Sequence, residues 1–222
     1  MPTRKSAGPS PKRSGALTAR VYERLREEIL DGVHPQGTHL SIQSIATSMR
    51  TSNGPVITAL HRLAHEGLVQ HGRGSGYRIA EWTPLLLDQL LVVRRALETE
   101  AARLAARLSN REDIDELQTH IAQMEAMVAE GRRADAERID VELHVAIAKL
   151  SRNAQLIDAL ARSHMLEIVR RRLLANAPRG DFKNMARNHQ ILIDAIASGD
   201  PDEAGKAMHW HLRSKSSTTG NA

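Results

Sequence analysis

Helical periodicity governs the last two thirds of this chain. From Thr83 onward, apolar residues recur at three- and four-residue steps, and the first such face comprises Leu86, Leu90, Val93, Leu97, Ala101, Leu104 and Leu108. This spacing matches the 3.6-residue turn of an α-helix rather than the alternation of a strand. Further helical segments follow at about residues 110–128, 134–150, 154–174, 182–197 and 201–214. Together they predict an antiparallel helical bundle.

The first 80 residues follow a different plan, in which short elements are separated by turns. Apolar residues at four-residue steps predict a helix from about Leu17, and Ser41 and Ser52 can cap two further short helices joined by a tight turn. A Gly-rich hairpin follows, with Arg73 at its tip and Arg78 on its return strand. These elements together predict a winged helix-turn-helix.

The predicted fold is therefore mainly α, with an N-terminal winged helix-turn-helix plus a C-terminal antiparallel helical bundle. The expected boundaries are a disordered basic arm at 1–16, the winged helix at 17–80, the all-helical domain at 83–214 and a flexible tail at 215–222. The arm is assigned as disordered because it mixes Pro, Gly, Ser, Lys and Arg without apolar periodicity.

The positive charge of the chain lies in its first third. The formal net charge is +5, from 31 Lys and Arg against 26 Asp and Glu. Residues 1–80 carry 11 basic and 5 acidic side chains, whereas residues 81–222 carry 20 basic and 21 acidic ones. A basic N-terminal domain favours a polyanionic partner, although a cationic tail on an ordinary soluble surface gives the same balance.

The composition excludes several classes of site. The chain has no cysteine, which excludes disulfides, thiolate metal sites and a cysteine nucleophile. No stretch approaches the roughly 18 apolar residues of a membrane span, and the N-terminus lacks the apolar core of a secretory signal. The sequence therefore predicts a soluble, cytoplasmic protein that does not contact membranes.

The predicted helix-turn-helix supplies the candidate DNA-binding residues. Such motifs read DNA with the N-terminal residues of the second helix, and a wing adds phosphate or minor-groove contacts. On this geometry the candidates are Ser52, Asn53, Gly54, Thr58, His61, Arg62 and Arg73. Asn53 is the best base reader because its amide can form two hydrogen bonds with adenine. A short helix pair can also be a packing unit without a ligand.

The N-terminal segment resembles the winged-helix domain of the GntR superfamily of bacterial transcription regulators. The resemblance spans about Leu17 to Ala80 and rests on VYERLREEILDGVHPQGTHLSIQSIATSM, SNGPVITALHRLAHEGLV and GRGSGYRI. It implies a DNA-binding function. Where the family commonly carries base-reading arginines, this chain has Gln43, Asn53 and Ile57, so the operator sequence cannot be transferred from relatives.

Four metal-ligating side chains are placed to converge inside the predicted bundle. Asp140 and His144 are four residues apart on one helical face, and His189 and His211 lie beside apolar residues on two later helices. Imidazole and carboxylate donors suit Zn²⁺, Ni²⁺ or Mn²⁺. For any one of these histidines taken alone, an ordinary core position is the better interpretation, and spacing does not by itself prove that the four side chains converge. His209 lies two residues from His211 and is expected at the surface.

Residues 83–214 are similar to the FCD ligand-sensing domain of the FadR-like branch of the same superfamily. The similarity rests on VRRALETEAARLAA, DVELHVAIAKLSRN, NHQILIDAIASGD and AMHWHL. It implies a divalent metal held by Asp140, His144, His189 and His211, and an arginine, here Arg94, directed toward an effector. A guanidinium suits a carboxylate ligand, but Arg94 can equally form a helical ion pair with Glu98.

The resemblance implies a transcription regulator, acting as a repressor, whose operator affinity is controlled by a small organic acid bound at the metal site. A two-fold homodimer on double-stranded DNA implies a palindromic operator. Two alternatives stay open: a metal-dependent hydrolase that uses the Asp and His residues, and a regulator that binds no metal.

Overall fold

The computed structural model describes residues 11–72, 76–173 and 182–216, and the chain divides into two compact units, Met1–Thr83 and Pro84–Ala222. The elements of the N-terminal unit are α1 (Pro11–Leu30), β1 (His39–Leu40), α2 (Ile42–Ser48), α3 (Asn53–His65), β2 (Val69–His71) and β3 (Tyr77–Ile79). Those of the C-terminal unit are α4 (Pro84–Leu108), α5 (Arg111–Ala129), α6 (Arg133–Leu150), α7 (Ala154–Leu173), α8 (Met185–Ala197) and α9 (Pro201–Ser216). The predicted fold class is confirmed.

The N-terminal unit packs three helices against a small antiparallel sheet in the order β1-β3-β2. Ser41 caps α2, and its hydroxyl accepts a hydrogen bond from the Ser44 amide at 3.2 Å. Ser52 occupies the cap position of α3, but its hydroxyl makes no capping hydrogen bond. Strand β1 was not predicted, because two residues are too few to display an alternating pattern. The core contains the fully buried side chains of Leu60, Leu63, Leu68 and Ile79.

The predicted arm at 1–16 is wrong in its C-terminal part, because α1 already begins at Pro11. Proline suits the first turn of a helix, and the lysine, arginine and alanine that follow are good helix formers even without an apolar face. At the other end, α9 continues to Ser216, two residues into the predicted tail. Residues 1–10 and 217–222, and Leu174 at the predicted end of α7, lie outside the described residues.

Local capping signals define the helices of the C-terminal unit. Asn110 and Asp113 form a reciprocal capping box at the start of α5. Asp200 accepts a hydrogen bond from the Asp202 amide at 2.7 Å at the start of α9. The core buries aliphatic side chains from α5, α6, α8 and α9. None of the described helices combines the length and apolar character needed to cross a membrane.

The buried face of α4 differs from the predicted one. Val93, expected inside, is 50% exposed, whereas its neighbour Arg94 is 3% exposed and Glu98 is 1% exposed. The buried stripe of α4 comprises Leu87, Arg94, Glu98, Ala101, Ala102, Ala105 and Ala106. Apolar periodicity predicted the wrong buried face of α4, because the charged side chains of Arg94 and Glu98 are buried there. A pattern built from apolar residues assigns charged residues to the surface.

Candidate metal centre and nucleic-acid interface

Four buried side chains from three helices meet inside the C-terminal unit. We call Asp140, His144, His189 and His211 the Asp–His cluster; its ligand atoms all lie within 4.8 Å of one another. Every member is at most 2% exposed. The convergence expected from the sequence is therefore present, and a buried set of one carboxylate and three imidazoles is typical of a metal site.

The surrounding elements position the cluster. Asp140 and His144 are one turn apart on α6, where they alternate with core residues such as Leu143 and Ile147. The α8 and α9 faces that carry His189 and His211 also bury Ile193 and Met208, among others. Apolar packing thus fixes the three helices and brings their polar side chains to one point.

The spacing of two imidazole nitrogens in the cluster suits a single ion. The Nε2 atoms of His144 and His211 are 3.2 Å apart, and His144 Nε2 lies 3.6 Å from Asp140 Oδ1. His189 Nε2 also contacts Asp140 Oδ1. A metal that binds imidazole nitrogens at about 2.0–2.1 Å, with bond angles of about 90–110°, separates those nitrogens by about 2.8–3.4 Å. The His144–His211 spacing falls in this interval.

Hydrogen bonds at the outer nitrogens determine which nitrogen faces the cluster. His189 Nδ1 lies 2.7 Å from the Met185 carbonyl oxygen, an atom that can only accept, so Nδ1 carries the proton. His144 Nδ1 contacts a carboxylate oxygen of Glu98, which requires the same tautomer when that carboxylate is ionised. When each ring is neutral, its Nε2 lone pair is then directed toward the cluster, which is the arrangement that a metal ligand requires.

Arg94 forms the alternative contact that the sequence left open. Its Nε donates to Glu98 Oε1, four residues along α4. The second oxygen of the same carboxylate contacts His144, so Arg94 is linked to the Asp–His cluster through Glu98. Sequence reasoning treated Glu98 only as a partner of Arg94. The one sequence signal that Glu98 is buried was its position in an i,i+4 pair of charges, within a stripe of α4 that otherwise contains leucine and alanine.

Two further polar residues of the C-terminal unit have local explanations. Asn153 caps α7, with its Oδ1 accepting from the Leu156 amide at 3.1 Å. His209 is exposed on α9, as expected, while His211 faces the interior. His209 is therefore a natural control for substitutions in the cluster.

The candidate DNA-binding residues lie on the outer face of α3. Its inner face buries Val56, Ala59, Leu60 and Leu63, and the outer face exposes the predicted candidates Ser52, Asn53, Gly54, Thr58, His61 and Arg62. Thr58 Oγ1 donates to the Gly54 carbonyl oxygen at 3.1 Å, so this hydroxyl already has a partner on its own helix. Arg73 lies outside the described residues.

Arg62 is already engaged within the N-terminal unit. Its guanidinium lies 3.7 Å from the centre of the Tyr22 ring, and its Nε donates to Glu66 at 3.2 Å. The Tyr22 hydroxyl also donates to Glu66, at 2.8 Å. Burial and the hydrogen bond to Glu66 raise the pKa of Tyr22, so the phenol keeps its proton. Because 60% of the Arg62 side chain remains exposed, part of it faces solvent.

The wing strands contact the same helix through aromatic rings. The centres of the His61 and Tyr77 rings are 5.8 Å apart, and those of His71 and Tyr77 are 4.8 Å apart. His61, a candidate DNA contact, therefore also joins α3 to β3. These contacts orient the wing relative to the helix that precedes it.

Comparisons with known proteins identify both units. Residues 17–79 match the family of bacterial regulatory proteins called gntR, and residues 89–214 match the FCD domain. The chain is 29% identical over 191 residues to the transcriptional regulator LutR of Bacillus subtilis, which covers 78% of this chain and 86% of LutR. It is 27% identical over 197 residues to a probable D-xylose utilization operon transcriptional repressor of Paenarthrobacter nicotinovorans, with 88% and 85% coverage.

A solved structure gives the same result for the fold. The structure of E. coli McbR/YncC superposes with a TM-score of 0.72 at 20% identity, covering 89% of this chain and 93% of that one. The matched families and relatives are transcription regulators, not enzymes, which overturns the hydrolase alternative. The chain belongs to the GntR family of bacterial transcription regulators, in the group whose C-terminal domain is an FCD domain.

Proposed function

We propose that this protein is a repressor whose operator affinity is controlled by a small organic acid bound at a divalent metal in the C-terminal unit. The observation that carries the proposal is the buried Asp–His cluster in a chain that also carries a winged helix. An enzyme with the same cluster would have no use for the DNA-binding domain.

The four residues of the cluster fit a metal by their chemistry, burial and spacing. Asp140, His144, His189 and His211 would hold Zn²⁺, Ni²⁺ or Mn²⁺ through one oxygen and three nitrogens. Four protein ligands leave coordination positions for a bidentate acid on an ion that accepts five or six ligands. When bound there, the metal would act as a Lewis acid toward the carboxylate of the effector.

The proposed effector is a small carboxylate, and Arg94 is its proposed second contact. Arg94 is 3% exposed, and its Nε is held by Glu98, which also contacts His144. A guanidinium held in this way is oriented before the ligand arrives, which reduces the entropy lost on binding. Its planar fork matches a carboxylate.

The proposed operator contacts are Ser52, Asn53, Gly54, Thr58, His61, Arg62 and Arg73. Exposure of the described members on one face of α3, and the basic balance of residues 1–80, support this surface. Asn53 in the first turn of α3 is the proposed base reader, and Arg62 reaches a phosphate with the part of its guanidinium that Glu66 does not hold. Because its target is chromosomal DNA, the protein is proposed to act in the cytoplasm.

A homodimer on a palindromic operator is the proposed assembly. Four large apolar side chains of α4 are exposed, Leu85 at 67%, Val92 at 58%, Val93 at 50% and Leu108 at 40%. Leu85 and Val92 are seven residues apart and so lie on the same side of the helix. A second copy that covers this stripe would remove it from water and relate the two winged helices by a two-fold axis.

DNA affinity of the full chain in the presence of metal and acids tests the proposal. We expect a duplex selected from a random library to bind, and at least one small carboxylic acid to change its affinity by about 5–150-fold in the Zn²⁺-loaded protein. Asp140→Ala should lose this response, whereas His209→Ala should retain it. An acid response that is unchanged in Asp140→Ala would contradict the metal site, and failure to select any duplex would contradict the DNA-binding surface.

A further inference from the structure

Glu98 is a buried carboxylate that connects α4 to the Asp–His cluster. It is 1% exposed, and its two oxygens have different partners: Oε1 accepts from Arg94 Nε, and Oε2 contacts His144 Nδ1. A buried carboxylate is stable only when its charge and lone pairs are compensated. Arg94, itself 3% exposed, supplies the opposite charge to this carboxylate.

An ionised carboxylate determines the chemistry of the imidazole that it contacts. Because it only accepts hydrogen bonds, the proton of neutral His144 must lie on Nδ1, and the Nε2 lone pair is directed toward His211 and Asp140. An acceptor at the outer nitrogen also holds the ring orientation. Among cluster histidines, His189 receives its orientation from its own helix, through the Met185 carbonyl, whereas His144 receives it from α4.

We propose that Glu98 is a positioning residue that sets the metal affinity of the Asp–His cluster, and that Arg94 acts in the same chain by holding the Glu98 carboxylate in place. This inference rests on the proposed metal-binding function. Glu98 also connects the cluster to α4, the helix that begins at Pro84, where the C-terminal unit begins. A metal held by His144 would therefore be linked to this helix through Glu98.

Glu98→Gln is the sharpest test because an amide of the same shape has one acceptor oxygen where the site requires two. If its NH2 group faces His144, the imidazole must accept at Nδ1 and place its proton on Nε2, toward the cluster. If it faces Arg94, two N–H donors oppose each other. In either orientation we expect Zn²⁺ affinity of the full chain, measured by competition with a chelator, to fall by about 10–100-fold. Glu100→Gln, an exposed glutamate on the same helix, is the matched control and should bind Zn²⁺ like the wild type.

Two further readouts separate positioning from simple loss of structure. The visible spectrum of the Co²⁺-loaded Glu98→Gln protein should differ from that of the wild type, while the circular dichroism of the metal-free proteins should agree. If Glu98→Gln does not fold, ¹⁵N NMR of the histidine rings in the wild-type protein still tests the proposal. We expect the neutral ring of His144 to carry its proton on Nδ1, and a neutral ring whose single proton lies on Nε2 would overturn the inference.

The outcomes distinguish this inference from the function on which it rests. A wild-type chain that binds no metal contradicts the proposed metal site itself. A wild-type chain that binds Zn²⁺, with Glu98→Gln and Glu100→Gln equal to it in affinity and Co²⁺ spectrum, overturns only the role of Glu98.

Discussion

The same ion pair, an arginine followed four residues later by a glutamate, occurs in both units of the molecule with opposite exposure. The side chains of Arg62 and Glu66 at the end of α3 are 60% and 11% exposed, whereas those of Arg94 and Glu98 are 3% and 1% exposed. In the N-terminal unit the arginine keeps contact with water and with any polyanion that approaches. In the C-terminal unit it compensates a carboxylate that has no access to water.

This difference separates two kinds of binding surface. Exposed polar groups on α3 can be replaced at little cost to folding, because water solvates what remains. The buried polar groups around the Asp–His cluster form a connected set, in which removal of one member leaves another buried and uncompensated. We therefore expect substitutions on α3 to change DNA binding and substitutions near the cluster to change stability as well.

The largest expected effect is the loss of DNA affinity at the exposed α3 surface as the salt concentration rises. Binding through about 6–10 phosphate contacts loses about 10³–10⁵ in affinity between 50 and 200 mM salt. We expect this decrease for the full chain on its selected duplex, measured by fluorescence anisotropy. The stability of the C-terminal unit, which depends on buried pairs, should change little over the same range. An affinity independent of salt would exclude phosphate contacts as the main source of binding.

Replacing the arginine of each ion pair by alanine gives the next largest effect, which is on the free energy of unfolding. Arg94→Ala leaves Glu98 buried without its cation, and breaking such a pair costs about 3–5 kcal/mol. Arg62→Ala breaks the more exposed pair and should cost about 1 kcal/mol or less. Urea unfolding of both variants and the wild type measures the two values. Equal costs would show that exposure does not govern the difference between the two units.

Asn53 tests the reading of bases by the exposed surface. We expect Asn53→Ala to weaken binding to the selected duplex by about 1–3 kcal/mol and to relax the preference at one base position, because a bidentate amide contact distinguishes adenine from other bases. The folding stability should be unchanged, since Asn53 is exposed in the first turn of α3. Binding measured on duplexes altered at single positions checks this, and a uniform loss at all sequences would argue for a phosphate contact instead.

The smallest expected effect is a pH dependence in the N-terminal unit. Burial and Glu66 raise the pKa of Tyr22 in the folded chain, whereas an unfolded tyrosine loses its proton near pH 10. Above that pH the unfolded chain releases a proton that the folded chain retains, so the stability falls as the pH rises, by at most about 1.4 kcal/mol per pH unit for one group. Tyr22→Phe should be less stable than the wild type at pH 8 and should lose less stability between pH 10 and 11. Parallel stability curves for the two proteins would contradict the assignment.

Much of the fold could be predicted because its signals are local. Capping residues such as Ser41, Asn110 and Asp200 mark helix starts within three residues of sequence. The start of α1 and the strand β1 were missed, since Pro11–Ala16 lacks an apolar face and His39–Leu40 is too short for a pattern.

The candidate site could be predicted in part for a different reason. Spacing placed Asp140 and His144 on one face, and apolar neighbours placed His189 and His211 on inward faces of two later helices. Family resemblance supported the convergence of the four side chains, which no local pattern could establish. Glu98 escaped because its role depends on a contact with a residue 46 positions away in the chain. The inner face of α4 was misplaced for the same reason, since hydrophobic periodicity does not register a charge that is buried with its partner.

Metal content of the purified protein tests most directly whether the buried cluster is a ligand-binding centre. Wild-type protein, His211→Ala and His209→Ala would be loaded with Zn²⁺, dialysed and measured by mass spectrometry of the metal. We expect about one ion per protomer in the wild type and in His209→Ala, and close to none in His211→Ala. Equal metal content in His211→Ala and the wild type, or no retained metal in the wild type, would contradict the proposed centre.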